Sequence, residues 1–174
     1  MDYNHFGFCE EMARTLRAVA HTNQRKRFFK ASGGEWLADV EDRLSDISGT
    51  VLIAVDSGEM DTRGNGAEGV EDDWKFFVIL AQATDNDHPD TVHDALRSCR
   101  QLAVAVRNVL FRRYPMMPRT VSIFPVGPMA DNFYGAALEF IMPAYDNYAP
   151  DATLFIDDTP TPETTDDAAG QTAG

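Results

Sequence analysis

Two stretches of the chain concentrate the residue types that do chemistry. In "DNDHPDTVHD", His88 and His93 stand among Asp85, Asp87, Asp90 and Asp94. A metal held on one helix face wants ligands three or four residues apart. Five apart, the two histidines fall on different faces. The favoured reading is therefore an acidic helix start, where carboxylates meet the positive end of the helix dipole. The second stretch, residues 56–73, is rich in glycine and acid. It offers oxygen ligands for calcium but lacks both the alternating acidic order of an EF-hand loop and any nonapeptide repeat. Its "RGNGAEG" has no Gly-Lys-Ser/Thr to cradle phosphate. A solvated, flexible hairpin loop is expected instead.

Cysteine chemistry reads the same way. Cys9 and Cys99 sit 90 positions apart on helix-like apolar stripes with no CxxC partner, and His5 and His21 are isolated. Packed free thiols are the expectation, with a disulfide the alternative. No nucleophile, base and orienting group stand together. The sequence thus predicts no catalytic residue, no cofactor and no metal, and a protein that is not an enzyme. A small metal-dependent enzyme built on His88, His93 and the acidic loop remains the least favoured alternative.

The elements that would position these residues follow from periodicity. Cys9, Met12, Ala13, Leu16, Val19 and Ala20 recur at three and four, predicting a helix over 4–22. Ser32 and Glu35 have capping-box spacing ahead of a second stripe, Leu37, Val40, Leu44 and Ile47, which Gly49 stops. Residues 50–57 and 73–83 read as strands, the latter apolar on both faces. The strongest helix signal is Val92, Ala95, Leu96, Cys99, Leu102, Ala103, Val106 and Leu110, with Arg112 and Arg113 at its end and Pro115 and Pro118 beyond. "RTVSIFPVG" and "NFYGAALEFIMPAY" then pair as a hairpin. The predicted fold is α+β: a four-stranded, mostly antiparallel sheet of two hairpins, packed with an N-terminal helical segment and one long central helix. Residues 1–146 form the predicted domain. Residues 147–174, acidic and without Lys or Arg, are expected to be a disordered tail, interrupted by the apolar "TLFI" of 153–156, a candidate for docking.

Charge limits the partners. Lys and Arg number 15 against 28 Asp and Glu, a net charge of −13. Such a surface repels nucleic-acid phosphates, so sequence-specific nucleic-acid binding is not expected. No run of 18 apolar residues exists to cross a membrane, and the first residues do not read as a signal peptide. The one positive patch the sequence singles out is Arg25, Lys26, Arg27 and Lys30, flanking Phe28 and Phe29. In a chain this acidic, an acidic neighbour, including another copy, is the favoured contact over stacking on nucleic acid. The second candidate surface is the turn "GPMADNFYG". Pro125 and Pro128 stiffen it, Asp131 and Asn132 can bond to backbone, and Phe133 and Tyr134 offer aromatic contact area. Phe133 is equally readable as core.

"KRFFKASGGEWLADVEDRL" and "FPVGPMADNFYGAALEF" resemble small structural proteins of Bacteroides-type phages and prophages. The element order resembles that of phage tail terminator and head–tail connector proteins. The resemblance covers roughly residues 25–145, and the acidic tail departs from that compact pattern. It implies a virion structural protein made in the host cytoplasm and placed in the tail or neck. Such a subunit forms a ring, usually a hexamer, and meets tail-tube and neck proteins. An acidic ring would also keep passing DNA from sticking. A cytoplasmic protein-binding adaptor of a mobile element or secretion apparatus is the alternative.

Overall fold

The computed structural model describes residues 3–33, 36–64, 69–85, 87–115 and 118–146, with no description of the side chains of 36–39 and 145–146. The expected acidic tail lies outside the described residues. The chain is α+β. Helix α1 (His5–Thr15) leads to strand β1 (Phe28–Ser32), helix α2 (Trp36–Leu44), the hairpin β2 (Thr50–Gly64) and β3 (Val70–Ala83), the long helix α3 (Asp90–Arg113), and the hairpin β4 (Arg119–Met129) and β5 (Phe133–Asp146).

The sheet has five strands in the order β1-β2-β3-β5-β4 and is mixed, because β1 runs parallel to β2 while every other pair is antiparallel. This corrects the expected four. The fifth strand is the end of the basic run itself: Phe29 and Ala31 point into the core while Lys30 and Ser32 face solvent. Five residues interrupted by a lysine carry too little alternation to stand out beside the charge run. Ser32 accordingly ends a strand. Its proposed capping partner, Glu35, lies outside the described residues.

Helix α1 is shorter than its stripe suggests. The Asn4 side chain accepts from the Gly7 amide at 2.8 Å and starts it, while Leu16 turns to extended backbone and ends it. Val19 stays fully buried although it lies outside the helix. An apolar position needs burial, not helical geometry, which is how the stripe outran the element. The acidic loop between β2 and β3 is also largely strand. Met60 to Gly64 pair with Trp74 to Val70 after a register shift past Asp56, making a β2–β3 ribbon that β5 continues to flank through the pairs of Val70 to Trp74 with Asp146 to Met142.

Both sheet faces are covered. On one, Leu52, Val78, Leu80, Leu138 and Phe140 pack against Phe8, Cys9 and Met12 of α1 and Cys99, Ala103, Val106 and Leu110 of α3. On the other, Ile53, Ile79, Ala137, Met129 and Phe133 pack against Val40 and Leu44 of α2. Alternate residues of each strand thus feed opposite layers. Arg113 ties α3 to α1 through two 2.7 Å bonds to the Glu11 carboxylate.

Candidate interaction surfaces

Strand register sets where the two candidate surfaces lie. Phe28 of β1 pairs with Leu52, Thr50 with Gln82, and Gln82 with Tyr134. The basic segment entering β1 and the turn entering β5 therefore sit at the same end of the sheet. Strands β2 and β3 separate β1 from β5, three interstrand steps of about 4.8 Å, or about 14 Å. The two surfaces share an end but occupy opposite flanks.

On the first flank, Arg25 and Lys26 are exposed. Arg25 is held by its amide, which donates to Thr22 Oγ1 at 3.0 Å. Lys30 is turned toward α1, 4.0 Å from the Glu10 carboxylate and over the rings of Phe6 and Phe28. Arg27 is different. Its Nε and Nη1 are enclosed without a hydrogen-bond acceptor, and its guanidinium lies beside Gly49. Burial, then the Arg25 charge, press it below the usual guanidinium range. The residue as a whole is half-buried.

On the second flank, the turn is locked to the end of β3. Asn132 O accepts from the Thr84 amide at 2.8 Å and from its hydroxyl at 2.7 Å, while Asn132 Nδ2 donates to Thr84 O at 3.2 Å. Ala130 and Asp131 hold positive φ, 44° and 67°. Phe133 is only 1% exposed and packs in the α2 layer, so it provides no contact surface. Of the even readings of Phe133, core is the one the packing realises. Tyr134 is half-buried and Asp131 exposed. Asp131 joins Glu41, Asp42 and Ser45 of α2 around an open cleft of about 600 Å³. The exposed chemistry of this flank is thus acidic rather than aromatic.

The candidate catalytic residues do not converge. His88 Nδ1 lies 2.8 Å from Asp85 at the exposed start of α3, and His93 is exposed farther along. Among the described residues no group of three His, Cys, Asp or Glu side chains is placed to hold a metal ion. Three acids of the ribbon pair with cations: Glu59 with Lys75 at 2.8 Å, Glu71 with Arg119, and Asp73 with Arg63. Arg119 also stands 3.5 Å from Asp73 Oδ1, an ion-pair distance at which that buried oxygen still lacks a hydrogen-bond donor.

His5 and Cys9 come together without making a nucleophile. His5 is buried and stacks on Phe76, with Nε2–H donating to Phe77 O at 3.2 Å and Nδ1 accepting from Tyr3 Oη at 3.0 Å. Burial lowers its pKa to about 4, leaving a neutral ring at neutral pH. The Cys9 sulfur is 3.8 Å from Nδ1, but burial pushes its thiol far above the ordinary range, so no thiolate forms.

A second positive surface lies apart from Arg25–Lys30, the one positive patch expected from the sequence. Arg97 and Arg100 of α3 overhang edge strand β4, lining with Leu96, Phe124 and Pro125 a groove of about 360 Å³. Arginines three apart on one helix face were the available signal. Their partner strand was not foreseeable from that spacing.

At the coarse level the molecule defines itself as an α+β protein with a five-stranded mixed sheet and one long helix. No protein-family model matches the chain, and no curated protein matches it in sequence. No helix among the described residues is long and apolar enough to cross a membrane.

Proposed function

We propose that the chain is a self-assembling structural subunit that closes into a ring, of the phage tail terminator or head–tail connector kind its sequence resembles. One observation carries the reading: a basic flank and an acidic flank occupy opposite sides of the same sheet end. Arg25 and Lys26 of one copy complement Glu41, Asp42 and Asp131 of the next. Different patches meeting head to tail generate a ring when the rotation closes, whereas a self-complementary patch stops at a dimer. Strands β1 and β4 are the outer strands of the sheet, so each flank also offers backbone groups that a neighbour can pair. In this reading the ring stands in the virion tail or neck, against tail-tube proteins, and the acidic surface repels passing DNA.

The test is mass measurement across concentration and salt. The expected result is a closed oligomer that weakens as salt screens the contact, and that is lost in Arg25→Glu plus Lys26→Glu. A wild type that stays monomeric at every concentration, with or without tail-tube protein, overturns the ring and favours the adaptor alternative.

A further inference from the structure

We infer that the groove between α3 and β4 is the docking site for the acidic–apolar segment 151–158, "DATLFIDD", of a second copy. The inference rests on the self-assembly reading and names a contact within it. The groove is apolar at its floor and cationic at its rim. Ile123, Pro125 and Ala136 line it, Phe124 stands 37% exposed, and Arg97 and Arg100 flank it. Arg97 reaches Asp94 only at 3.2 Å across two exposed side chains, and Arg100 has no carboxylate partner among the described residues. In a chain at −13, two arginines beside an exposed phenylalanine on an edge strand are an unusual pairing. They call for an occupant that is apolar in the middle and acidic at both ends.

Segment 151–158 has that pattern. Thr153, Leu154, Phe155 and Ile156 are bracketed by Asp151 on one side and Asp157 and Asp158 on the other, the one apolar run in residues 147–174. The leucine and phenylalanine supply the apolar anchor, and the flanking carboxylates complement the arginines in bidentate geometry.

Reach, together with the reversal it demands, weighs against the chain's own groove and toward a second copy. The groove centres on Pro125 and its partner Ala136, ten residues back along β5 from Asp146. At about 3.3 Å per residue that is about 33 Å. From Asp146 to Phe155 is nine residues, which span at most about 32 Å when fully extended. Strand β5 runs away from the groove, so a chain returning to its own groove must also reverse direction, which shortens its reach further. A neighbour's segment has no such restriction. Docking of one copy's segment in the next copy's groove is again head to tail, the relation that closes rings.

Complementation on the full chain tests this. Leu154→Asp plus Phe155→Asp disables the segment and leaves the groove. Arg97→Glu plus Arg100→Glu disables the groove and leaves the segment. Arg97 and Arg100 are exposed, so their replacement leaves the buried core untouched. Association is read by sedimentation velocity over a concentration series. Each variant alone is expected to associate about tenfold or more weakly than wild type. Their equimolar mixture is expected to recover a dimer at concentrations where neither variant alone forms one. If the segment variant associates as tightly as wild type, the docking is refuted while self-assembly stands. A mixture no better than its components refutes docking between copies. A wild type that is monomeric throughout removes both readings together.

Discussion

Acidification should destabilise this protein through His5 well before its carboxylates titrate. His5 sits on the first turn of α1, 4% exposed, against Phe76, with Tyr3, Cys9 and the Phe77 carbonyl around it and Asp56 the nearest charge acting on it. Burial sets its folded-state pKa at about 4 against 6.5 in an ordinary setting. The unfolded chain therefore takes up the proton first, and each step down in pH favours unfolding. Stability is full above pH 6.5 and falls as the pH drops toward 4. At about 1.4 kcal/mol per unit, the complete loss is about 3 kcal/mol, with about 2 kcal/mol gone by pH 5. The paired carboxylates Glu10, Glu11 and Asp85 are held below their ordinary values, so their contributions are lost only at lower pH. The assay is urea unfolding at intervals from pH 7.5 to 4.5 on wild type and on His5→Gln, whose amide can keep both hydrogen bonds without titrating. The wild-type curve should fall away from the variant's between pH 6.5 and 5. Parallel curves would show that His5 is solvated or paired in the folded state, and the burial argument would fail.

Three further outcomes follow from packing. Phe133→Ala should cost about 3–5 kcal/mol in chemical denaturation, because it empties a fully enclosed site in the α2 layer; a change below about 1 kcal/mol would return Phe133 to the surface. Gly135→Ala should destabilise by at least about 1–3 kcal/mol, since a Cβ there would overlap the Leu80 carbonyl and stand 2.7 Å from Ala81 Cα, so β3 and β5 must part. Cys9 and Cys99 should react with a thiol reagent only as fast as the protein opens, since both are buried and burial raises both thiols, Cys99 to about 12; rapid labelling of folded protein would contradict that.

Periodicity made the long elements legible and missed what tertiary context decides. The α3 stripe is readable because one helical face stays apolar for about four turns, from Ala95 to Leu110, and the structure buries that face. Strand β3 was readable because Phe76 to Ala81 are apolar on both faces, and both faces are covered. Strand β1 was not, because it is short and its exposed positions carry Lys30 and Ser32. The β2–β3 ribbon was not, because its residues are polar. Cross-strand pairs such as Thr62 with Asp72 at 2.6 Å and Lys75 with Glu59 at 2.8 Å take the place of apolar alternation, and no window within one strand contains such pairs.

The same distinction explains the candidate surfaces. Charge can be counted in sequence, but its effect depends on which neighbour the fold supplies. Arg27 and Lys26 are adjacent in the chain, yet the step into β1 leaves Lys26 in solvent and turns the Arg27 guanidinium toward Gly49. Phe133 and Tyr134 are equally adjacent, and strand alternation sends the first into the α2 layer and leaves the second half-exposed. A surface assigned from a run of like residues is therefore halved once the run becomes strand. A surface made by packing a helix over an edge strand, as Arg97 and Arg100 are set over Phe124, comes from residues more than twenty positions apart. That separation is why the groove, rather than the basic run, is where the fold adds a partner surface the linear pattern could not contain.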